Sequence, residues 1–153
     1  MDTDTDLLRE SFLRIMPRKE EFAVTFYRTL LEKYPHLHRF FVGVDLRRQQ
    51  TSLLATLLAM LNEAEHGEEL RAIFYKLGRR HNALQIRADQ YPAFGQTLLE
   101  TLAVYDPQWT DALHIAWAAA LEHCVRFMME AYSPDATIYR VQISGVRSRK
   151  VAQ

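Results

Sequence analysis

The stretch LGRRHNALQIRADQYPAFG, residues 77–95, contains the end of one predicted helix, a loop and the start of the next helix. The first helix covers about residues 68–80, the loop spans 82–89, and the second helix runs from about 90 to 104. His81 therefore lies where the first helix ends. A histidine in that place is most often solvated, because the negative end of the helix dipole favours a nearby cation.

The helical pattern continues on both sides of this stretch. Apolar residues recur at three- and four-residue spacings, and the chain has only five glycines and five prolines. This period is typical of amphipathic α-helices, so we predict an all-α fold. About seven helical segments are expected, at residues 6–16, 17–34, 36–41, 46–67, 68–80, 90–104 and 109–132.

Three of these segments have clear apolar faces. In the first segment, the face consists of Leu8, Phe12 and Ile15. The second presents an aromatic-rich stripe until Pro35 interferes, made of Phe22, Phe26, Leu30 and Tyr34. The segment at 46–67 presents a leucine face wider than contact with one neighbour requires, made of Leu46, Leu53, Leu54, Leu57, Leu58 and Leu61.

The composition is that of one ordinary globular domain. The 153 residues include 48% hydrophobic and 25% charged residues, and a chain of this length can bury a single core. Basic and acidic residues both number 19. Since no net charge attracts the chain to nucleic acid or to an anionic membrane, we expect a small ligand and no nucleic-acid or membrane partner.

Cysteine content and the N-terminal sequence point to a cytoplasmic setting. Cys124 is the single cysteine, which excludes an intramolecular disulfide framework and a multi-cysteine metal site. The N-terminal sequence MDTDTDLLRE is acidic, unlike the basic start of a secretion signal. Every apolar stretch is far shorter than the roughly 18 residues that a membrane span needs.

The character of the chain changes after Tyr132. Residues 133–153 contain no acidic residue beyond Asp135 and carry four basic residues, Arg140, Arg147, Arg149 and Lys150. We interpret residues 1–132 as one domain and residues 133–153 as a basic tail. Disorder and a short strand at 138–143 are both open for the tail, although an isolated strand is not stable alone.

The motifs LGRRH, closing at His81, and YPAFG, starting at Tyr91, resemble the proximal region of single-domain bacterial haemoglobins and of the haem domains of flavohaemoglobins. In that family the histidine that closes this helix ligates haem iron. The resemblance covers about residues 7–130, including Trp117. It implies a globin domain of residues 1–132, with a globin fold of about seven helices around a pocket for haem b.

Upstream residues match the distal side of the same family. Tyr27 lies in FYRTLLEKYP, and Phe41 follows it at the spacing found in the family. The resemblance implies that Tyr27 donates a hydrogen bond to bound ligand and that Phe41 packs on the haem face. Gln49 matches the distal glutamine. Gln50 is the alternative; Gln49 is preferred because counting back from His81 needs no gap.

The remaining pocket positions follow from the same resemblance. Leu53, four residues after Gln49, is expected above the iron, where it restricts access. The proximal lining is expected to consist of Leu77, Ile86 and Phe94. Lys76, Arg79 and Arg80 read as solvated charges, and Arg80 is the candidate partner of a haem propionate because guanidinium matches carboxylate geometry.

The sequence departs from flavohaemoglobins at two proximal positions. There a tyrosine and a glutamate form a hydrogen-bonded group with the proximal histidine. Tyr91 matches the tyrosine, but Tyr132 stands at the distance from Trp117 where the glutamate is expected. The position four after the histidine, glycine in relatives, is Gln85. We therefore expect His81 to be an ordinary neutral imidazole ligand.

Several functions are compatible with this resemblance. The first is reversible binding of O2, NO or CO at a pentacoordinate iron. The second is a nitric oxide dioxygenase that relies on an external reductase, since the segment after the matched region is too short for flavin and nicotinamide domains. The third is a haem-based gas sensor whose tail contacts a partner, and the fourth is a haem-free helical bundle. A monomer and a homodimer are both open.

Overall fold

Six α-helices make up most of the computed structural model, which describes residues 3–62 and 67–133. They are α1 (Thr3–Ile15), α2 (Lys19–Lys33), α3 (Leu46–Met60), α4 (Gly67–Ala83), α5 (Tyr91–Tyr105) and α6 (Asp111–Met129). Short 3-10 turns lie at Met16–Arg18, Pro35–Phe41 and Ala88–Gln90. The described part of the chain contains no strand, so the predicted all-α class is confirmed.

Two helix limits in the first half of the chain differ from the predicted ones. Helix α1 begins at Thr3 rather than after Thr5. Helix α3 ends at Met60, well before the predicted limit near Gly67, because the chain tightens into i to i+3 hydrogen bonds. The N–H of Leu61 donates to the Leu58 carbonyl at 3.1 Å. Apolar spacing indicates a helix face, but it does not fix where the helix stops.

Two limits near the candidate site also need correction. Helix α4 runs to Ala83 rather than Arg80, so His81 lies inside its last turn and not beyond it. Helix α6 ends at Met129. Tyr132 follows in a turn, and the Tyr132 N–H donates to the Met129 carbonyl at 3.0 Å. The predicted tail lies outside the described residues except for Ser133.

The leucine face of α3 is narrower than predicted. Leu53 and Leu57 are buried, but Leu46 and Leu58 are 41% and 52% exposed. Helix α3 packs mainly on α2, and one neighbour covers only part of a helix surface. The predicted width was therefore wrong.

The core lies where α1, α2, α5 and α6 meet, with α4 packed along α6. The predicted faces of α1 and α2 are buried in it, while Tyr34 lies half-buried at the end of α2. The largest fully buried side chains are Trp117, Phe22, Phe26, Ile15, Leu30 and Leu57. None of the described helices is both long enough and apolar enough to cross a membrane.

A buried polar cluster connects α1 to the turn between α5 and α6 through hydrogen bonds. The carboxylate of Asp106 accepts hydrogen bonds from Ser11 Oγ at 2.6 Å and from Arg14 Nε at 2.6 Å. Trp117 Nε1 donates to Ser11 Oγ at 3.1 Å. Each buried polar group in this cluster therefore has a partner, as a stable interior requires.

Candidate functional site

His81 lies half-buried in the last turn of α4, next to the first residue of α5. Its Nδ1 atom is 3.1 Å from the hydroxyl of Tyr91, and Tyr91 is itself buried. The 3-10 turn Ala88–Gln90 leads directly into α5. The connection between α4 and α5 thus brings the imidazole and the phenol together.

The Tyr91 hydroxyl continues into a second tyrosine and then into the backbone. It lies 2.9 Å from the hydroxyl of Tyr132, which donates to the carbonyl of Ile86 at 2.6 Å. We call the sequence His81, Tyr91, Tyr132 and the Ile86 carbonyl the proximal relay. Its groups come from α4, the loop after it, α5 and the turn after α6.

The side chains of the proximal relay are neutral near pH 7. Burial lowers the pKa of His81 to about 4, and the nearby positive charge of Arg80 contributes to the lowering. Burial raises the pKa of Tyr91 and the pKa of Tyr132 above the usual value of a phenol. His81 therefore presents an uncharged imidazole, the form that can ligate a metal ion.

A left-handed residue shapes the loop of the relay. Gln85 has φ of 66°, a conformation that glycine adopts without steric cost. This conformation turns the chain back toward the C-terminal end of α4, where the Ile86 N–H donates to the His81 carbonyl at 3.0 Å. The position four residues after His81 thus takes a conformation that favours glycine, although Gln85 stands there.

A second pair of polar side chains joins α2 to α3. Gln49 Nε2 donates to the Tyr27 hydroxyl at 3.3 Å, and that hydroxyl lies 3.5 Å from the Gln49 carbonyl. Tyr27 is only 3% exposed, and burial raises its pKa to about 12. Of the two adjacent glutamines, Gln49 is the one whose amide reaches this phenol.

Aromatic rings connect this pair to the helix that carries Tyr91. Tyr27 meets Phe41 edge to face at a centroid distance of 5.8 Å and meets Phe26 at 4.8 Å. Phe26 in turn meets Phe94 at 4.8 Å. Phe94 lies one helical turn after Tyr91 on α5, so a continuous set of aromatic rings runs from α2 to α5, the helix that carries Tyr91.

The other predicted pocket residues lie one turn from the polar groups. Leu53 is buried on α3, four residues after Gln49. Leu77 is half-buried on α4, four residues before His81. This spacing puts each leucine on the same helix face as its polar neighbour. Arg80 is exposed beside His81.

The sequence did not indicate two members of the relay. Ile86 was expected to line the pocket with its side chain, which stays a prediction; its contact in the relay is made by its backbone carbonyl. Tyr132 was noted only as a departure from related sequences, yet its hydroxyl is bonded to Tyr91. Glu130 points elsewhere and pairs with Arg71 at 2.9 Å. The spacing of Tyr132 from Trp117 was the one available signal.

Comparison with known proteins places the chain among haem proteins. The family model described as Globin matches residues 24–128. The flavohemoprotein of Rhizobium meliloti strain 1021 is 31% identical over 98 residues, which are 62% of this chain and 24% of that protein. The flavohemoprotein of Deinococcus radiodurans is 30% identical over 104 residues, 66% of this chain and 26% of that protein. The chain thus spans about a quarter of the length of these relatives.

Two Pseudomonas aeruginosa proteins are also similar. Its flavohemoprotein is 26% identical over 144 residues, which are 88% of this chain and 36% of that protein. A crystal structure from strain PAO1, of a protein described as structurally highly homologous to a human hemoglobin, superposes with a TM-score of 0.74. That match has 24% identity and covers 86% of this chain and 99% of the other, so it shows a common fold.

Proposed function

This chain belongs to the globin family and has its fold, and we propose that it binds O2 or another diatomic gas, NO or CO, reversibly on a haem b held by His81. Haem binding itself follows from the family. When bound, haem would supply an iron that His81 would hold and that can bind a diatomic gas. The proposal assigns His81 to hold the iron, and Tyr27 with Gln49 to act on the bound gas.

The proximal relay is the observation that carries this proposal. A haem ligand must be a neutral imidazole whose second nitrogen is hydrogen-bonded, so that the ring orientation is fixed. His81 is uncharged near pH 7, and its Nδ1 atom is occupied by Tyr91 at 3.1 Å. Only Nε2 is then left as the coordinating atom. This donor set supports the fit of a haem at His81.

The surroundings support the same fit. The described residues include no group of three His, Cys, Asp or Glu side chains placed to hold a metal ion, whereas a haem iron needs only one imidazole from the protein. Phe41, Phe94 and Leu53 supply apolar surface that would exclude water. Arg80 is exposed beside His81 and is the candidate partner of a propionate.

Tyr27 and Gln49 are proposed to act on the gas. Because its pKa is about 12, the Tyr27 hydroxyl keeps its proton and can donate a hydrogen bond. A ligand that acquires partial negative charge is stabilised by such a donor in a low-dielectric pocket. The Gln49 amide donates to Tyr27 at 3.3 Å and holds the Tyr27 oxygen in place. The Tyr27 hydroxyl makes only a long contact of 3.5 Å with the Gln49 carbonyl, which its proton would leave to turn toward a ligand.

Absorption spectra of the purified full chain test the proposal. We expect a Soret band with one haem per chain in the wild type, and its loss or a strong shift in His81→Ala. His114→Ala is the matched control, because His114 lies on α6 beside Trp109, and its spectrum should equal that of the wild type. A chain that takes up no stoichiometric haem would contradict the proposal.

A second candidate function is nitric oxide oxidation to nitrate with electrons from an external reductase. The flavohemoprotein relatives and the Tyr27 and Gln49 pair favour it. To separate the two functions, protein saturated with O2 is mixed with NO, and a reductase is then supplied. Sustained nitrate production supports the enzyme, whereas a single turnover per haem supports the reversible binder.

A further inference from the structure

Tyr132 has no assigned part in the proposed function, yet its hydroxyl makes the two shortest contacts of the proximal relay. It is 2.9 Å from the Tyr91 hydroxyl and 2.6 Å from the Ile86 carbonyl oxygen. The residue is 8% exposed. A phenol buried to this extent takes its hydrogen-bond partners from the protein, and both partners belong to the set of contacts that reaches His81.

The carbonyl at the end of the relay fixes the direction of each hydrogen bond. A carbonyl oxygen only accepts, and a phenol has one proton to donate. Tyr132 gives its proton to Ile86, so the proton of the bond between the tyrosines comes from Tyr91. The Tyr91 oxygen is then left to accept from His81, and His81 carries its proton on Nδ1.

We propose that Tyr132 is a positioning residue that sets the direction of the proximal relay, so that Tyr91 accepts a hydrogen bond from His81 Nδ1 and Nε2 is left as the iron ligand. This inference rests on the proposed haem site. Without the Tyr132 hydroxyl, the Tyr91 proton loses its acceptor in the relay, and the Tyr91 oxygen, 3.1 Å from His81 Nδ1, becomes a weaker acceptor. Tyr91 would then polarise the Nδ1–H bond less.

The relay strengthens the imidazole as a donor without a carboxylate. Hydrogen bonds in a chain polarise one another, so donation by Tyr91 to Tyr132 makes the Tyr91 oxygen a better acceptor. Glu130 cannot take the place of Tyr132, because it pairs with Arg71 at 2.9 Å. The electron density that reaches His81 is therefore set by two phenols and one backbone carbonyl.

The test compares Tyr132→Phe, Tyr91→Phe and the double variant as haem-loaded full chains. The readouts are the iron to histidine stretching band in the resonance Raman spectrum of the ferrous protein and the ferric to ferrous reduction potential. We expect Tyr132→Phe to lower the band frequency and raise the potential. Because Tyr132 acts through Tyr91, the double variant should equal Tyr91→Phe.

Two further variants make the test specific. Tyr75→Phe removes the hydroxyl of an exposed tyrosine on the same helix as His81 and should change neither readout. Tyr132→Leu removes the hydroxyl together with the ring and should shift both readouts in the same direction as Tyr132→Phe. If one of these two variants fails to fold, the other still tests the role of the hydroxyl.

The outcomes separate this inference from the proposed function. If the wild-type chain takes up no haem, the proposed function fails and this inference fails with it. If haem is bound through His81 but Tyr132→Phe leaves both readouts unchanged, only the role of Tyr132 is overturned. Shifts that persist in the Tyr91→Phe background would also overturn it.

Discussion

Gly78 on α4 packs directly against the backbone of Met128 on α6. A Cβ atom built on Gly78 overlaps the Met128 carbonyl oxygen and lies 2.7 Å from its Cα atom. Because these neighbours are backbone atoms, they cannot move aside as a flexible side chain would. The absence of a side chain at Gly78 therefore sets how closely α4, which carries His81, approaches α6, which leads to Tyr132.

Gly78→Ala should accordingly destabilise the protein by about 2 kcal/mol or more, because overpacking outweighs the better helix propensity of alanine. Urea unfolding followed by circular dichroism measures the change. Gly67→Ala is the matched control, since none of the residues that the structure describes lies within 4 Å of a Cβ there, and its stability should be unchanged or slightly higher. A Gly78→Ala variant as stable as the wild type would contradict the close crossing.

The Asp106 cluster predicts a pH dependence of stability. Burial alone would raise the pKa of Asp106, but hydrogen bonds from Arg14, Ser11 and the Gln108 N–H hold that pKa below its usual value. A carboxyl whose pKa is lower in the folded state stabilises fully above its unfolded pKa of about 4. This contribution is lost as the pH falls through the folded pKa.

Asp106→Asn should therefore lose less stability than the wild type between about pH 5 and pH 2. At pH 7 it should be less stable by about 3 kcal/mol, because it leaves a partly buried Arg14 without its carboxylate. Unfolding free energies across this pH range provide the measurement, with the exposed Glu32→Gln as control. Parallel curves for Asp106→Asn and the wild type would refute the prediction.

The positive φ of Gln85 predicts a stabilising substitution. At a φ of 66°, a residue with a Cβ atom has a conformational energy about 1 kcal/mol higher than glycine. Gln85→Gly should raise the free energy of unfolding by a few tenths to about 1 kcal/mol, after the larger unfolded-state entropy of glycine is subtracted. Ala72→Gly, at an exposed position inside α4, should instead lose about 1 kcal/mol. Thermal unfolding distinguishes the two signs.

Tyr27 predicts a kinetic effect that rests on the proposed gas binding. Tyr27→Phe keeps the ring packed against Phe26 and Phe41 but removes the donor. Loss of a hydrogen bond of about 1.4 kcal/mol corresponds to a roughly tenfold faster O2 dissociation. CO, which takes on less charge, should dissociate at nearly the wild-type rate. Stopped-flow measurements test both, and equal effects on the two gases would count against a hydrogen bond from Tyr27.

The sequence allowed the helices and their buried faces to be predicted, because the helical period is a local property. Phe22, Phe26 and Leu30 were placed in the core on that basis, and they are buried there. Helix limits were less accurate, since a cap such as the tightened end of α3 depends on hydrogen bonds that apolar spacing does not show. The exposure of Leu58 depends on how many neighbours pack on α3.

For the candidate site, the sequence predicted which side chains take part but not the hydrogen bonds beyond Tyr91. Tyr91 was placed near His81 by resemblance, and the two are in contact. The relay beyond Tyr91 was not predicted, because Tyr132 lies far from Tyr91 in sequence and its partner is a backbone carbonyl. Every residue except proline carries the same carbonyl and N–H groups, so a sequence pattern gives no signal for which carbonyl will accept.

The cluster around Asp106 has a consequence for synthesis of the chain on the ribosome. Ser11 is bonded to a carboxylate 95 residues later and to an indole 106 residues later. A domain made from its N-terminus therefore has α1 available long before either partner exists. The Ser11 hydroxyl and the Arg14 guanidinium must stay hydrated until the segment that carries Asp106 emerges, so docking of α1 is expected to be a late event in folding of the nascent chain.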